Sequence, residues 1–154
     1  MAVFIGTFEN KVDQKGRVSV PAVFRQSLAG LSFSGIVAFR SHRADAIEGC
    51  GMDFMEQMIA RVSEIDLFSE THDDLATTVF SDSQQLPFDG TGRIMLPQGF
   101  REHAGITDRA AFVGMGQLFQ IWEPSALERH KAAARDRART QRLTIPAGGG
   151  GGSR

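Results

Sequence analysis

The chain has 154 residues, 42% of them hydrophobic and 23% charged, with a formal net charge of −1. That length is enough to bury one core, or two small half-cores that share an interface. No apolar run approaches the roughly 20 residues of a membrane span, and MAVFIGTFENK at the N-terminus has neither the basic leader nor the apolar stretch of a signal peptide, so a cytoplasmic address without a membrane partner is expected.

In chain order, Val12, Val18 and Val20 alternate with polar residues around DQKG, the pattern of two half-buried strands joined by a turn. Asp13 can bond its own downstream amides and Gly16 can take a positive φ, which is turn chemistry. Pro21 then suits the start of a short helix, with Phe24 and Leu28 on one face and Gly30 as its stop. GIVAF, residues 35–39, reads as a strand. The spacing of Phe54, Met58 and Ile65 in DFMEQMIARVSEID predicts an amphipathic helix, and the polar SETHDDLATTVFSDS predicts a second. Strand RIML, Pro97, Phe100 and Ala104 on one helical face, and Gly105 as a stop repeat the opening course. AAFVGM, through Gly116 into LFQIW, reads as a hairpin. PSALERHKAAARDRARTQRL opens with Pro124 and Ser125 and should be helical. AGGGGGSR can bury no surface and is expected to be disordered.

The repeat is ungapped. DQKGRVSVPAVFRQ returns as DGTGRIMLPQGFRE, with Asp13 and Asp89, Gly16 and Gly92, Arg17 and Arg93, Pro21 and Pro97, Phe24 and Phe100, and Arg25 and Arg101 all 76 residues apart. Each copy is a strand, turn, strand, short helix and strand, too little to bury both faces alone, so the copies should pack on each other. Turn chemistry with a surface ion pair would account for one Asp-x-x-x-Arg. It does not account for arginine following glycine twice. An arginine at a hairpin tip is a rigid fork suited to guanine O6 and N7 or to phosphate, and a neighbouring Asp can orient it. Lys15 in the first tip adds a point charge for phosphate, Lys11 flanks that tip, and Thr91 in the second tip offers only a hydroxyl. Arg25 and Arg101 have two open readings: a solvated helix face or partner for acidic residues, or a phosphate contact.

Charge is unevenly distributed. Residues 1–42 carry +3, 43–89 carry −9, 90–122 carry +1 and 123–154 carry +4, so an acidic middle masks basic segments that can form a positive face. Arg135, Arg137, Arg139 and Arg142 spread around the C-terminal helix, which fits a soluble edge or subunit contact better than a reading head. Cys50 is the only cysteine, which excludes an intrachain disulfide. His42, His72, His103 and His130 lack metal-ligand spacing, and no phosphate-cradling or nucleophile-elbow motif is present. No metal or cofactor is expected.

FIGTFENKVDQKGRVSVPAVFR, the second DGTGRIMLP and VGMGQLFQIWEPSAL together resemble the MraZ family of bacterial transcriptional regulators, built from two SpoVT-AbrB-type motifs; the resemblance covers about residues 4–130. It implies an α+β, β-rich fold in which two tandem AbrB-like swapped-hairpin half-motifs interlock into one pseudo-two-fold, barrel-like domain with added helices. The implied organisation is a first motif over 4–52, a helical acidic connector over 53–82, a second motif over 83–126, a basic helix over 127–143 and a Gly-rich tail over 144–154. The implied function is repression of the cell-division and cell-wall gene cluster. The protein would bind guanine-rich direct repeats in its own promoter as a ring-shaped homo-oligomer at the nucleoid, without enzymatic activity. Family DNA contacts carried onto this chain fall on Arg17 and Arg93, with Asp13 and Asp89 as orienting partners. Thr91 stands where the family usually has Lys or Gln, and LATTVFSDSQQLPFD lacks the basic residues that usually lead into the second motif, so the second tip should be the weaker reader.

Two other classes compete. An AbrB-like, antitoxin-like module would use the acidic middle segment to bind a protein partner. A paired-aspartate protease would need Asp13 and Asp89 close enough to share a proton, which an Arg four residues after each disfavours.

Overall fold

The computed structural model describes residues 1–148. The last six residues of the Gly-rich tail, 149–154, lie outside them. Within Met1–Pro124, one compact unit, eight strands and four helices follow in the order β1 (Thr7–Lys11), β2 (Arg17–Ser19), α1 (Ala22–Leu28), β3 (Gly35–Arg40), β4 (Ile47–Cys50), α2 (Met52–Val62), α3 (Glu70–Leu75), β5 (Gln84–Pro87), β6 (Arg93–Met95), α4 (Gln98–Ala104), β7 (Arg109–Gly114) and β8 (Phe119–Trp122). A π-helical segment, Ala76–Phe80, continues α3. Helix α5 spans Pro124–Thr140, opening at Pro124 as the sequence suggests, and the second unit begins at Ser125.

Six strands form one antiparallel sheet in the order β1-β7-β8-β4-β3-β5, and β2 and β6 form a separate antiparallel ribbon. The first strand of each copy pairs with the other copy's third strand: β1 lies on β7 and β5 lies on β3. The copies meet again where β4 pairs β8, Glu48 facing Gln120, and where β2 pairs β6, Val18 facing Ile94.

Barrel-like closure is not found. β1 and β5 stand at opposite edges of the open sheet. After each of them the chain turns sharply, with Gly16 at φ 91° and Gly92 at φ 80°, so β2 and β6 leave the sheet edges and pair with one another. A single bridge, Val12 to Val18, is left of the first strand-turn-strand pairing.

The run GIVAF is apolar throughout because β3 is buried on both faces. Ile36 and Ala38 join a core with Phe4, Phe24, Phe112 and Phe119, while Val37 and Phe39 join a smaller core with Cys50, Phe54 and Met55 from α2. Phe4 packs edge-to-face on Phe24 and Phe119, with ring centroids 5.1 and 4.9 Å apart. The expected helix faces are observed: Phe24 and Leu28 of α1 are buried, as are Phe100 and Ala104 of α4. Helix α2 ends at Val62, earlier than its periodicity suggested. The Ser63 hydroxyl donates to the Ile59 carbonyl and Asp66 caps the following turn, leaving Ile65 outside the helix. Cys50 is fully buried, and burial first, then the charges of Asp53 and Glu48, push its thiol up to about 12.

Candidate nucleic-acid interface

The two tips share the same backbone and arginine bonds to their aspartates. In the first, the Asp13 Oδ1 accepts from the backbone N–H groups of Lys15 (3.0 Å) and Arg17 (2.9 Å), and its Oδ2 accepts from Arg17 Nε at 2.6 Å. In the second, Asp89 Oδ1 accepts from the N–H groups of Thr91 (2.9 Å) and Arg93 (3.0 Å), and Oδ2 accepts from Arg93 Nε at 2.9 Å. Thr91 adds a hydroxyl bond to Asp89 Oδ1 at 2.9 Å where Lys15 has an exposed ammonium. Each turn is closed by two backbone bonds: the Asp13 N–H donates to the Arg17 carbonyl and the Gly16 N–H to the Asp13 carbonyl, as the Asp89 N–H does to Arg93 and the Gly92 N–H to Asp89. Charge-assisted donation to both oxygens explains why the Asp13 carboxyl lies below its ordinary range, the Arg17 backbone N–H contributing most. Asp89 is held well below it, first by the Arg93 N–H and then by that of Thr91. Two carboxyls sharing a proton need one raised pKa. Here both are lowered and each is committed to its own arginine, so the paired-aspartate protease geometry is not present.

The ribbon brings the two tips into one surface. Val18 and Ile94 point into the core, so the alternation of a strand sends Arg17 and Ser19 of β2 and Arg93 and Met95 of β6 to the opposite, outer face. Arg17 faces Met95 and Ser19 faces Arg93, which sets the arginines on a diagonal with Cβ atoms roughly 7 Å apart. Their side chains are 39% and 37% exposed. Each guanidinium is held at Nε, and its two terminal nitrogens make no bond to any described residue. Both border an open groove of about 640 Å³ that also touches Leu86, Phe88 and Pro97.

Arg25 and Arg101 occupy neither a solvated helix face nor a partnership with the acidic residues 43–89. Both are half-buried, and each donates from Nε to a backbone carbonyl just before its own helix: Arg25 to Val20 at 3.0 Å, Arg101 to Leu96 at 3.1 Å. Their guanidinium groups then lie across the other copy's tip. A Cβ added to Gly92 would stand 2.7 Å from Arg25 Cζ, and one added to Gly16 would stand 2.9 Å from Arg101 Nε. Backbone bonds run the same way, from Val20 N–H to Gly92 and from Leu96 N–H to Gly16. Each tip is therefore braced by the opposite copy. Lys11 is exposed at the end of β1, opposite Arg109, two residues before the first tip.

The sequence reading did not single out Ser19 and Met95, nor the crossed bracing. The first was partly within reach: RVS and RIM, with Val18 and Ile94 as the inward residues, put positions 17 and 19, and likewise 93 and 95, on the outer side of their own strands. The second needs the pairing of β2 with β6, which repeat spacing alone does not specify.

The described features define a duplicated module that displays two oriented arginines on one exposed β-ribbon. Comparison with known proteins places it further. Residues 79–144 match the family model described as "MraZ protein, putative antitoxin-like". The transcriptional regulator MraZ of Rickettsia akari is 42% identical over 145 residues, 94% of this chain and 97% of that protein. The same-named proteins of Pelagibacter ubique and Rickettsia rickettsii are each 43% identical, over 93% and 94% of this chain and 92% and 97% of their own lengths. The chain belongs to the MraZ family of transcriptional regulators, which is not a family of enzymes. Among the described residues no helix is long and apolar enough to cross a membrane.

Proposed function

We propose that the chain is a sequence-specific DNA-binding regulator that lays the outer face of the β2–β6 ribbon in the major groove. The observation that carries this is the diagonal pair Arg17 and Arg93, each fixed at Nε by its aspartate and with both terminal nitrogens making no bond to any described residue. A two-stranded ribbon fits the major groove, and a guanidinium fork matches guanine O6 and N7. Lys15, Lys11, Arg25 and Arg101 supply phosphate contacts around that centre, and Asp13 and Asp89 orient the forks. The first tip, with Lys15, is the stronger of the two.

On this reading the two halves, 4–52 and 83–126, are AbrB-like swapped-hairpin motifs interlocked within one chain and joined by the acidic connector 53–82. The crossed pairing of β1 with β7 and β5 with β3 supports it. The regulator acts in the cytoplasm at the nucleoid, represses the cell-division and cell-wall gene cluster from guanine-rich direct repeats in its own promoter, and works as a ring-shaped homo-oligomer. One ribbon offers few contacts, and tethered copies on adjacent repeats gain effective concentration.

Fluorescence anisotropy on duplex DNA from upstream of the chain's own gene, against a scrambled duplex and across a salt series, tests the reading. Arg17→Ala should cost about 1–3 kcal/mol of specific binding, with a smaller loss for Arg93→Ala. Equal binding to both duplexes, indifferent to both arginines, would return the tips to turn chemistry.

A second reading, an antitoxin-like partner module, is favoured by one feature. Phe68 and Leu67, between α2 and α3 in the acidic connector, are 94% and 56% exposed. A pull-down that survives nuclease treatment and is lost in Phe68→Ser would support it.

A further inference from the structure

The outer face of the ribbon has four side-chain positions, and only two of them are alike. Arg17 and Arg93 are related by the repeat. So are Ser19 and Met95, each two residues after its arginine, yet one is a small hydroxyl and the other a long thioether. The core does not require Met95: its inward neighbour Ile94 is buried against Val18, while Met95 is 53% exposed. It stands directly opposite Arg17. Opposed residues on one ribbon face have Cβ atoms about 5 Å apart, between one and two base-pair steps at roughly 3.4 Å each. A methionine beside an arginine that forks onto a guanine is thus within reach of a neighbouring base pair.

The thymine C5-methyl is the apolar group that base edges present in the major groove. Methionine is flexible, apolar and polarisable, so it can settle on such a group without the fixed geometry a hydrogen bond demands. We infer that Met95 is a specificity-determining residue that packs on the C5-methyl of a thymine beside the guanine contacted by Arg17. Ser19, at the related position, has no apolar group of that reach. The two arginines make the face two-fold and Met95 breaks that symmetry, so the ribbon reads its site in one direction, as direct repeats require. This inference rests on the DNA reading proposed above.

The test uses the full chain as wild type, Met95→Ser, Met95→Leu, Arg17→Ala and Arg93→Ala. Each is enriched against a duplex pool randomised over about 12 base pairs, a little more than one helical turn. Binding is then measured on the wild-type winner with each thymine replaced in turn by deoxyuridine, which lacks only the methyl. Loss of one buried methyl corresponds to about three- to fivefold weaker binding. That loss is expected at one position for wild type and Met95→Leu, and should vanish for Met95→Ser, whose enriched sequences should no longer hold that thymine. An unchanged melting temperature for Met95→Ser would show that the exposed position leaves folding intact. If wild type and Met95→Ser respond identically to every deoxyuridine while the arginine variants lose enrichment, the DNA reading stands and Met95 has no part in it. If wild type enriches no sequence, both fall.

Discussion

Gly16 and Gly92 set the backbone course of each tip. Both have positive φ, and Gly16 also faces backbone: an added Cβ would stand 2.7 Å from the Leu96 carbonyl, the segment that Gly16 itself anchors by accepting from the Leu96 N–H at 2.9 Å. Gly30, also at positive φ, has nothing within 4 Å of the same added atom. Gly30→Ala should therefore cost about 1 kcal/mol from backbone strain alone, and Gly16→Ala about 2–4 kcal/mol, since strain and a displaced backbone bond add. Thermal melts of the two variants check this, and equal melting temperatures would contradict it. Acid stability belongs to the aspartates of the same tips. Asp13 and Asp89 are lowered in the folded chain relative to the ordinary value near 3.9. Between the folded and unfolded values the unfolded chain binds more protons, so stability rises with pH there. The contribution is complete above about pH 4 and is lost as pH falls through the folded values. The Asp13→Asn, Asp89→Asn double variant should melt lower than wild type at pH 7 but decline less steeply from pH 4 to pH 2. Parallel declines would mean that the tip carboxylates do not contribute to the acid limb.

At the scale of elements, the ribbon is held by helices it does not belong to. Arg25 leaves α1 and lies over Gly92, and Arg101 leaves α4 and lies over Gly16. Arg25→Ala should accordingly disturb the second tip and Arg101→Ala the first. Amide shifts and hydrogen exchange at Thr91 and Gly92, and at Lys15 and Gly16, would register this, and changes confined to the mutated copy's own tip would rule it out. The same crossing marks the limit of what the sequence conveys. Strands β1 to β3 and β5 to β8, helices α1 and α4 and both tips are legible because local chemistry decides them: alternation, turn glycines, Pro21 and Pro97, and apolar residues four apart. Arg17, Arg93 and their aspartates are legible because the repeat exposes them. The partner of each strand is not local. An open sheet edge and a separate ribbon follow from where β1 and β5 find their third-strand partners, and only the folded chain shows that barrel-like closure is absent. The π-helical segment after α3 is similarly silent, since ATTVF carries no signal separating five-residue from four-residue spacing.

For the whole molecule, a net charge of −1 conceals a division of labour. The acidic residues concentrate in 43–89, while Lys11, Lys15, Arg17, Arg25, Arg93 and Arg101 cluster on and around the ribbon and its bracing helices. An evenly mixed surface of the same net charge would favour no orientation toward DNA, whereas on the proposed reading the acidic segment disfavours docking by its own side and leaves the ribbon favoured over it. Affinity and specificity should then separate experimentally. Each phosphate neutralised releases counterions and contributes about −0.9 to the slope of log K against log salt. Lys11, Lys15, Arg25 and Arg101 together predict a slope of about −4 for one ribbon. Lys15→Ala should flatten that slope by about 1 and weaken binding to specific and scrambled duplexes alike. Arg17→Ala should instead remove most of the difference between the duplexes. Anisotropy titrations from 50 to 300 mM salt would separate these patterns. If Lys15→Ala changes the ratio between duplexes and leaves the slope alone, the lysine is a base reader and the division drawn between the centre and the rim of this face is wrong.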